Sequence, residues 1–157
     1  MKRFSVLSNL SAAFAKLTSV SFDRRKYTSY HTYFLKENYS ALDISNDKAF
    51  VDFRKLTFSR GNLPVISGSK IKKNSKQLEI SWIYNGYGKA EDDIIFFLYN
   101  PLQQLTHVEK AKRDSQALSF SIPNSWKTQA FYIYYFCKSP STNQQSDSVY
   151  LGERTII

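Results

Sequence analysis

The sequence predicts a mostly β protein, a β-sandwich of about seven short strands preceded by a short N-terminal helical arm. Three observations support this fold class. Aromatic residues make up 16% of the chain, and such side chains favour strands. Residues 65–157 consist of short apolar or alternating segments separated by turn signals. Residues 1–42 instead place their apolar side chains at helical spacing.

Two short amphipathic helices are predicted in the arm, which we assign to residues 1–45. In the first helix, gaps of three and four separate the apolar positions Phe4, Leu7, Leu10, Phe14 and Leu17. Asp23 is a candidate N-cap of the second helix. The helical positions that follow it are Tyr27, Tyr30, His31, Phe34, Leu35 and Asn38. We expect His31 to be a partly buried side chain of this face rather than a ligand. Neither helix can cover its apolar face alone, so each must dock on its own chain or on a neighbour.

Residues 46–64 are predicted to hold a strand and a joint. In AFVDFRKLTFS, Val51 and Phe53 follow one alternation and Leu56 and Phe58 follow the other. One extra residue between the two pairs predicts a β-bulge.

The segment SRGNLP places a glycine, an asparagine and a proline close together after an alternating segment. We interpret it as the joint between the arm and a sandwich over residues 65–157. Gly61 and Pro64 are expected to shape a turn there, because glycine and the neighbouring asparagine both tolerate positive φ. The alternative is a functional loop in which Arg60 binds an anion.

Seven segments supply the predicted strands of the sandwich, and they are VISGSKIKK, QLEISWIY, DIIFFLYNP, LTHVEKAK, ALSFSIP, AFYIYYFCKS and SVYLGERTII. In the second segment, Leu78, Ile80 and Trp82 share one face. The third is continuously apolar, which indicates a strand covered on both faces. This order resembles a fibronectin-III or immunoglobulin-like sandwich, in which a core tryptophan falls late in the second strand, as Trp82 does. Such an analogy carries no function.

A second resemblance concerns particular residues. These are Phe58 to Pro64, Ile80 to Trp82, Gly88 to Asp93, Leu98 to Pro101 and Ser146 to Gly152, the last including Tyr150. In order and spacing they resemble an uncharacterised family found mainly in Bacteroidota, the domain-of-unknown-function family numbered 6266. The resemblance implies that Gly61, Pro64, Trp82 and Tyr150 are structural hallmarks. It implies no activity, cofactor or catalytic residue.

The net charge of +9 is unevenly spread along the chain. Residues 1–76 hold 15 Lys and Arg against 5 Asp and Glu, whereas residues 77–157 hold 7 against 8. Such asymmetry is typical of a basic surface that meets an acidic partner, most often nucleic acid. The candidate nucleic-acid or anion contacts are Arg24, Arg25, Lys26, Arg60, Lys70, Lys72 and Lys73. Alternatively, these cations form a solvated face with no partner.

No motif of a catalytic, cofactor or metal site stands out in the sequence. The best candidate, Glu91-Asp92-Asp93, is more simply interpreted as charge on a loop that discourages edge aggregation of the apolar strand after it. Cys137 is the single cysteine and lies in an aromatic segment, which is typical of an inert thiol. A pocket that brought His107 together with two carboxylates would support an enzymatic function instead.

The start of the chain imitates a secretory signal, but Ser5, Ser8 and Asn9 interrupt its apolar region. The sequence therefore favours a cytoplasmic location or a place in an assembled particle, and it contains no apolar run long enough for a membrane span. We expect a non-enzymatic interaction or structural module, acting through a protein partner or through self-assembly, including assembly into a phage-derived particle. The alternative is a nucleic-acid-binding protein that uses the basic N-terminal half.

Overall fold

A computed structural model describes residues 2–15, 29–45, 48–74 and 76–156. The chain forms two compact units, Met1–Arg60 and Gly61–Ile157. The described residues include the helices α1 (Lys2–Ala13) and α2 (Tyr30–Asn38). The strands are β1 (Leu42–Ser45), β2 (Lys48–Val51), β3 (Ser67–Asn74), β4 (Gln77–Ile83), β5 (Asp93–Asn100), β6 (Leu105–Lys112), β7 (Ala117–Ser121), β8 (Ala130–Lys138) and β9 (Val149–Thr155). Short 3-10 turns connect several of these elements.

The first unit packs α1 against α2 and against the β1–β2 hairpin. The helical spacing of α1 buries Leu7, Leu10 and Phe14, as the sequence predicted. The Phe14 ring lies 4.5 Å from Phe58 and 6.5 Å from Phe34, measured between ring centroids. These rings give the unit a small aromatic core of its own.

Helix α2 begins at Tyr30, where Ser29 is its N-cap and the Ser29 hydroxyl accepts a hydrogen bond from the Thr32 amide (3.1 Å). The predicted N-cap, Asp23, lies outside the described residues. The prediction of a partly buried His31 is wrong, because this side chain is exposed. Its ring lies beside the α1 hydroxyls of Ser11 (2.9 Å) and Ser8 (3.5 Å), so it forms a polar contact between the helices.

The prediction of a β-bulge between Phe53 and Leu56 is wrong. The chain turns into a short 3-10 helix, Phe53–Lys55, because the Asp52 carboxylate accepts a hydrogen bond from the Arg54 amide (3.1 Å) and caps it. The Arg54 guanidinium also bonds that carboxylate and lowers the pKa of Asp52. Local side-chain capping therefore overrides the strand-like alternation.

The second unit is the predicted sandwich. In the part of the chain that the structure describes, β3, β4 and β7 form one sheet and β6, β5, β8 and β9 form the other. All described pairs within these sheets are antiparallel. The prediction of a fibronectin-III-like sandwich of seven strands, preceded by a short helical arm, is confirmed.

The main core lies between the two sheets. Leu78, Ile80 and Trp82 point into it from β4, as their alternation predicted. Facing them from the other sheet are the buried apolar side chains of β5 and β8, which include Ile94, Phe96, Leu98, Ile133 and Tyr135. The neighbours of Phe96 and Leu98 on the opposite face of β5, Phe97 and Tyr99, are buried as well. The prediction that β5 is covered on both faces is therefore confirmed.

Candidate functional site

The predicted basic contacts do not form one described cluster. Arg24, Arg25 and Lys26 lie outside the described residues. In the first unit, the Arg60 Nε donates to a Glu37 carboxylate oxygen at 3.2 Å.

The remaining predicted cations lie on β3 of the second unit. Lys70 and Lys72 share the outward face of this strand and are both exposed. Lys73 points to the other side, and its Nζ donates to the Thr155 carbonyl at 2.8 Å. The structure thus brings together two of the described candidates.

Gly61 and Pro64 do shape the backbone after Arg60, but for a different reason from the one expected. Positive φ angles among the described residues do not include Gly61 or Asn62, so the expectation of a positive-φ turn is wrong. Gly61 is needed because a Cβ atom there would overlap the carbonyl oxygen of Gln145. The Gly61 amide donates to the Asp147 carboxylate (3.0 Å), and the Leu63 amide donates to the Gln145 carbonyl (3.1 Å).

The carbonyl groups of Pro64 and Val65 are held by Arg113. This side chain is only 2% exposed. Its Nη2 donates to the Pro64 carbonyl at 2.7 Å, and its Nη1 lies 3.4 Å from the Val65 carbonyl. The indole N–H of Trp82 donates to the Arg113 carbonyl at 2.7 Å, which joins this arginine to the sandwich core. Trp82, a predicted structural hallmark, therefore has a polar role as well as an apolar one.

Asp92 neutralises Arg113 inside the sandwich. The Asp92 side chain is fully buried, and its Oδ2 accepts from the Lys89 amide (3.0 Å) and from the Arg113 Nε (3.1 Å). The same oxygen lies 3.1 Å from the Arg113 Nη2 in an ion pair. Its Oδ1 has no hydrogen-bond partner among the described residues. The interpretation of Asp92 as a charge on a solvated loop is therefore wrong. Asp93 does lie near the surface, where it forms an ion pair with Lys112 (2.8 Å).

Cys137 and His107 lie in separate surroundings. Cys137 is buried, and loss of solvent raises the pKa of its thiol to about 11. His107 packs on Phe120 and Trp126, and its Nε2 lies 2.9 Å from a Glu109 carboxylate oxygen. The described residues contain no group of three or more His, Cys, Asp or Glu side chains placed to hold a metal ion. The described helices likewise include none long and apolar enough to cross a membrane.

Three outer strands of the sandwich carry features that discourage pairing with another chain. β3 is lined with exposed lysines and its register shifts between Ser67 and Lys70. β7 has five residues, of which Ser119 and Ser121 are exposed. β9 is irregular, because its pairing with β8 shifts and Gly152 adopts a φ of 127°. Short, charged or irregular edges of this kind resist strand addition.

The fourth outer strand, β6, also exposes two lysines, Lys110 and Lys112, but it is longer than β7 and more regular than β3 and β9. It pairs with β5 over eight consecutive residues in one register. Leu105 and Val108 on this strand are 52% and 49% exposed, and Leu102 in the preceding turn is 74% exposed. A long, regular edge with exposed apolar side chains is a template for pairing with an extended chain. We call Leu102, Leu105 and Val108, with the β6 backbone, the β6 edge.

The sequence reasoning missed the β6 edge, although it predicted the strand. An alternating segment such as LTHVEKAK does not tell whether its strand is central or outermost, because that depends on strand order.

Tyr150, the remaining predicted hallmark, lies on β9. The centroid of its ring is 5.4 Å from that of Tyr134 and 6.4 Å from that of Tyr132.

No protein-family model matches the chain, and no curated protein matches it. Among solved structures, the chain is similar to the fibronectin type III domain of the human collagen alpha-1(XX) chain. That likeness has a TM-score of 0.42 at 10% sequence identity, and it covers 58% of this chain and 82% of the collagen domain.

Proposed function

We propose that the protein is a non-enzymatic interaction module that acts through protein–protein contacts at the β6 edge. The observation that carries the proposal is the contrast between β6 and the other outer strands of the sandwich. β3 and β9 are irregular and β7 is short, whereas β6 is eight residues long and regular, and it exposes Leu105 and Val108 beside the charged Lys110 and Lys112. An edge that stays available while the other edges are short or irregular is the surface at which an extended partner can pair.

Strand addition supplies the physical basis of binding. An outer strand has N–H and C=O groups that point away from its sheet, and an extended chain can pair with them. Main-chain hydrogen bonds then provide affinity, while side chains at alternate positions provide specificity. Leu105 and Val108 add apolar area that becomes buried in the complex, at about 25 cal/mol per Å².

A site-specific photo-crosslinking experiment tests this proposal. A photoreactive amino acid is placed at Val108, and in a matched control at Tyr87, which is 69% exposed in the β4–β5 loop. In cells that express the protein, we expect adducts with protein from position 108 and far fewer from position 87. Equal yields from both positions, or none from position 108, would contradict a docking role for the β6 edge.

Nucleic-acid binding is the alternative function, and it is supported by the exposed pair Lys70 and Lys72 together with the net charge of +9. Size-exclusion chromatography with light scattering, recorded at two absorbance wavelengths, separates the two functions. Nucleic acid that co-elutes at low salt and is removed by high salt would favour the alternative, because phosphate contacts weaken steeply with salt. Protein free of nucleic acid at both salt concentrations would exclude it for the purified chain.

Membership of the uncharacterised Bacteroidota family stays a prediction, as does a cytoplasmic location or a place in an assembled particle. Both agree with an interaction module, because neither requires a catalytic site.

A further inference from the structure

We infer that the β6 edge binds a second copy of this chain, with the two β6 strands antiparallel about a two-fold axis at Val108. This inference rests on the proposed function and names its partner. Pairing of this kind would join two four-stranded sheets into one continuous sheet of eight strands. The same surface of each copy is used, so the assembly closes as a dimer.

The charge pattern of β6 selects the register. An antiparallel pair centred on Val108 places His107 opposite Glu109 of the second copy, twice, because of the symmetry. The same register places Thr106 opposite Lys110 of the second copy. Each of the charged side chains therefore faces a neutral or complementary neighbour.

Neighbouring registers are less favourable. A pair centred on Glu109 places two carboxylates directly opposite each other, and a pair centred on Lys110 does the same with two ammonium groups. Like charges directly opposite in a sheet are destabilising. A pair centred on His107 places the apolar Leu105 opposite Glu109. The register at Val108 avoids these conflicts.

The side chains of β6 also lie on suitable faces for this register. His107 points toward the core side of its sheet, where its ring packs on Phe120 and Trp126, and Glu109 lies two residues along the same face. Both side chains keep about three-tenths of their surface exposed. A second copy would extend their contact into a ladder of two histidines and two glutamates.

Val108 points to the opposite face of the sheet from His107, and in this register it lies beside Val108 of the second copy. Each copy would thereby cover an apolar side chain that is half exposed in the single chain. A strand pair alone buries less area than a standard stable interface, so we expect a reversible dimer rather than a permanent one.

Sedimentation equilibrium of the full chain over a range of concentrations is the first test. The wild type is compared with Val108→Lys, which places two lysines opposite each other at the axis, and with Tyr87→Lys, which adds the same charge in the β4–β5 loop. We expect reversible dimerisation of the wild type and of Tyr87→Lys, and dimerisation at least about 10-fold weaker in Val108→Lys, because facing like charges destabilise a strand pair and the apolar contact at the axis is lost. Circular dichroism checks that each variant is folded.

A cysteine pair tests the register independently. Two residues directly opposite in an antiparallel pair have Cα atoms about 4.5–5.5 Å apart, which suits a disulfide. Under mild oxidation we expect Val108→Cys to form a covalent dimer, and Lys110→Cys to form little, because its opposite residue is Thr106. Cys137 does not interfere, because its thiol is buried and its pKa is raised.

The outcomes separate this inference from the proposed function. A wild-type chain that stays monomeric at every concentration, or dimers that survive Val108→Lys, would overturn self-pairing at β6. If photo-crosslinking at position 108 then still yields adducts with a different protein, the interaction module stands and its partner is not a second copy. If neither assay gives a contact at β6, both proposals fail.

Discussion

The two units of the protein each hold an extended backbone segment with one buried polar side chain, but they use different chemistry. In the first unit, the fully buried Asn38 amide bonds both backbone groups of Thr57: its Oδ1 accepts from the amide (2.6 Å) and its Nδ2 donates to the carbonyl (2.8 Å). In the second unit, the buried Arg113 guanidinium holds the carbonyls of Pro64 and Val65, with Asp92 as its counter-ion.

The difference shows which partners each type of buried side chain requires. A neutral amide has a donor and an acceptor, so Asn38 imitates a neighbouring strand and needs no counter-ion. A guanidinium has donors alone and carries a charge, so it can be buried only with an anion beside it. The second unit therefore depends on two residues, and removal of one leaves a buried charge.

The largest effect is expected from Arg113→Ala. This change leaves the Asp92 carboxylate buried without its counter-ion, so the free energy of unfolding should fall by about 3–5 kcal/mol. Urea denaturation measures the loss, and the rate at which a thiol reagent labels Cys137 reports opening of the second unit. Lys127→Ala, which removes an exposed cation of the same unit, is the control, for which we expect a change within about 0.5 kcal/mol. A loss of less than about 1 kcal/mol for Arg113→Ala would contradict this role.

A smaller loss is expected from Asn38→Ala. The change removes the partners of both Thr57 backbone groups without leaving a charge, so we expect a loss of about 2–3 kcal/mol. Hydrogen exchange at the Thr57 amide should become faster. Asn9→Ala, at an exposed position on α1, is the control and should be nearly neutral or slightly stabilising. A loss as large as that of Arg113→Ala would refute the distinction between the amide and the ion pair.

Gly61→Ala should cost about 1–3 kcal/mol, because its Cβ atom would displace the Gln145 backbone. Gly86→Ala provides a contrast, since that position has open space around it and a φ of 87°. There the expected loss is about 1 kcal/mol and comes from backbone strain alone. Crystal structures of both variants would distinguish the mechanisms, since a shift of the backbone around Gln145 is expected for Gly61→Ala alone.

The smallest effect is expected from Asp147→Ala. It removes the exposed hydrogen bond to the Gly61 amide, which water can replace, so the loss should be about 0.5–1 kcal/mol. Denaturation midpoints of this variant and the wild type measure it. If Asp147→Ala destabilised the protein more than Gly61→Ala, the hydrogen bond rather than the close packing would hold this segment in place.

The sequence was sufficient to predict the sandwich strands, because the alternation within a segment shows which of its side chains face the core, as Leu78, Ile80 and Trp82 illustrate. It was insufficient where a hydrogen bond from one nearby side chain determines the backbone conformation. Asp52 turns the chain into a 3-10 helix despite the alternation around it, and β1 is a four-residue strand too short to give a periodic signal.

The ion pair of the second unit was missed because its members are far apart in sequence. A signal was nevertheless present. An antiparallel hairpin that pairs Asp93 with Lys112 places Asp92 and Arg113 next in the register. Pairing predicted outward from the Asn100-Pro101 turn could have brought them together. The exposure of the β6 edge required the strand order, which no single segment contains.

The strand order also bears on how the sandwich forms during synthesis. β4 pairs with β7, yet residues 84–116 separate them, so the first sheet stays incomplete while the ribosome adds that stretch over a few seconds. In this interval the very apolar β5 is already exposed. Its first available partner is β6, joined to it by a short turn, whereas β8 arrives later. We therefore expect the β5–β6 hairpin to shield the nascent chain from aggregation before the rest of the sandwich closes.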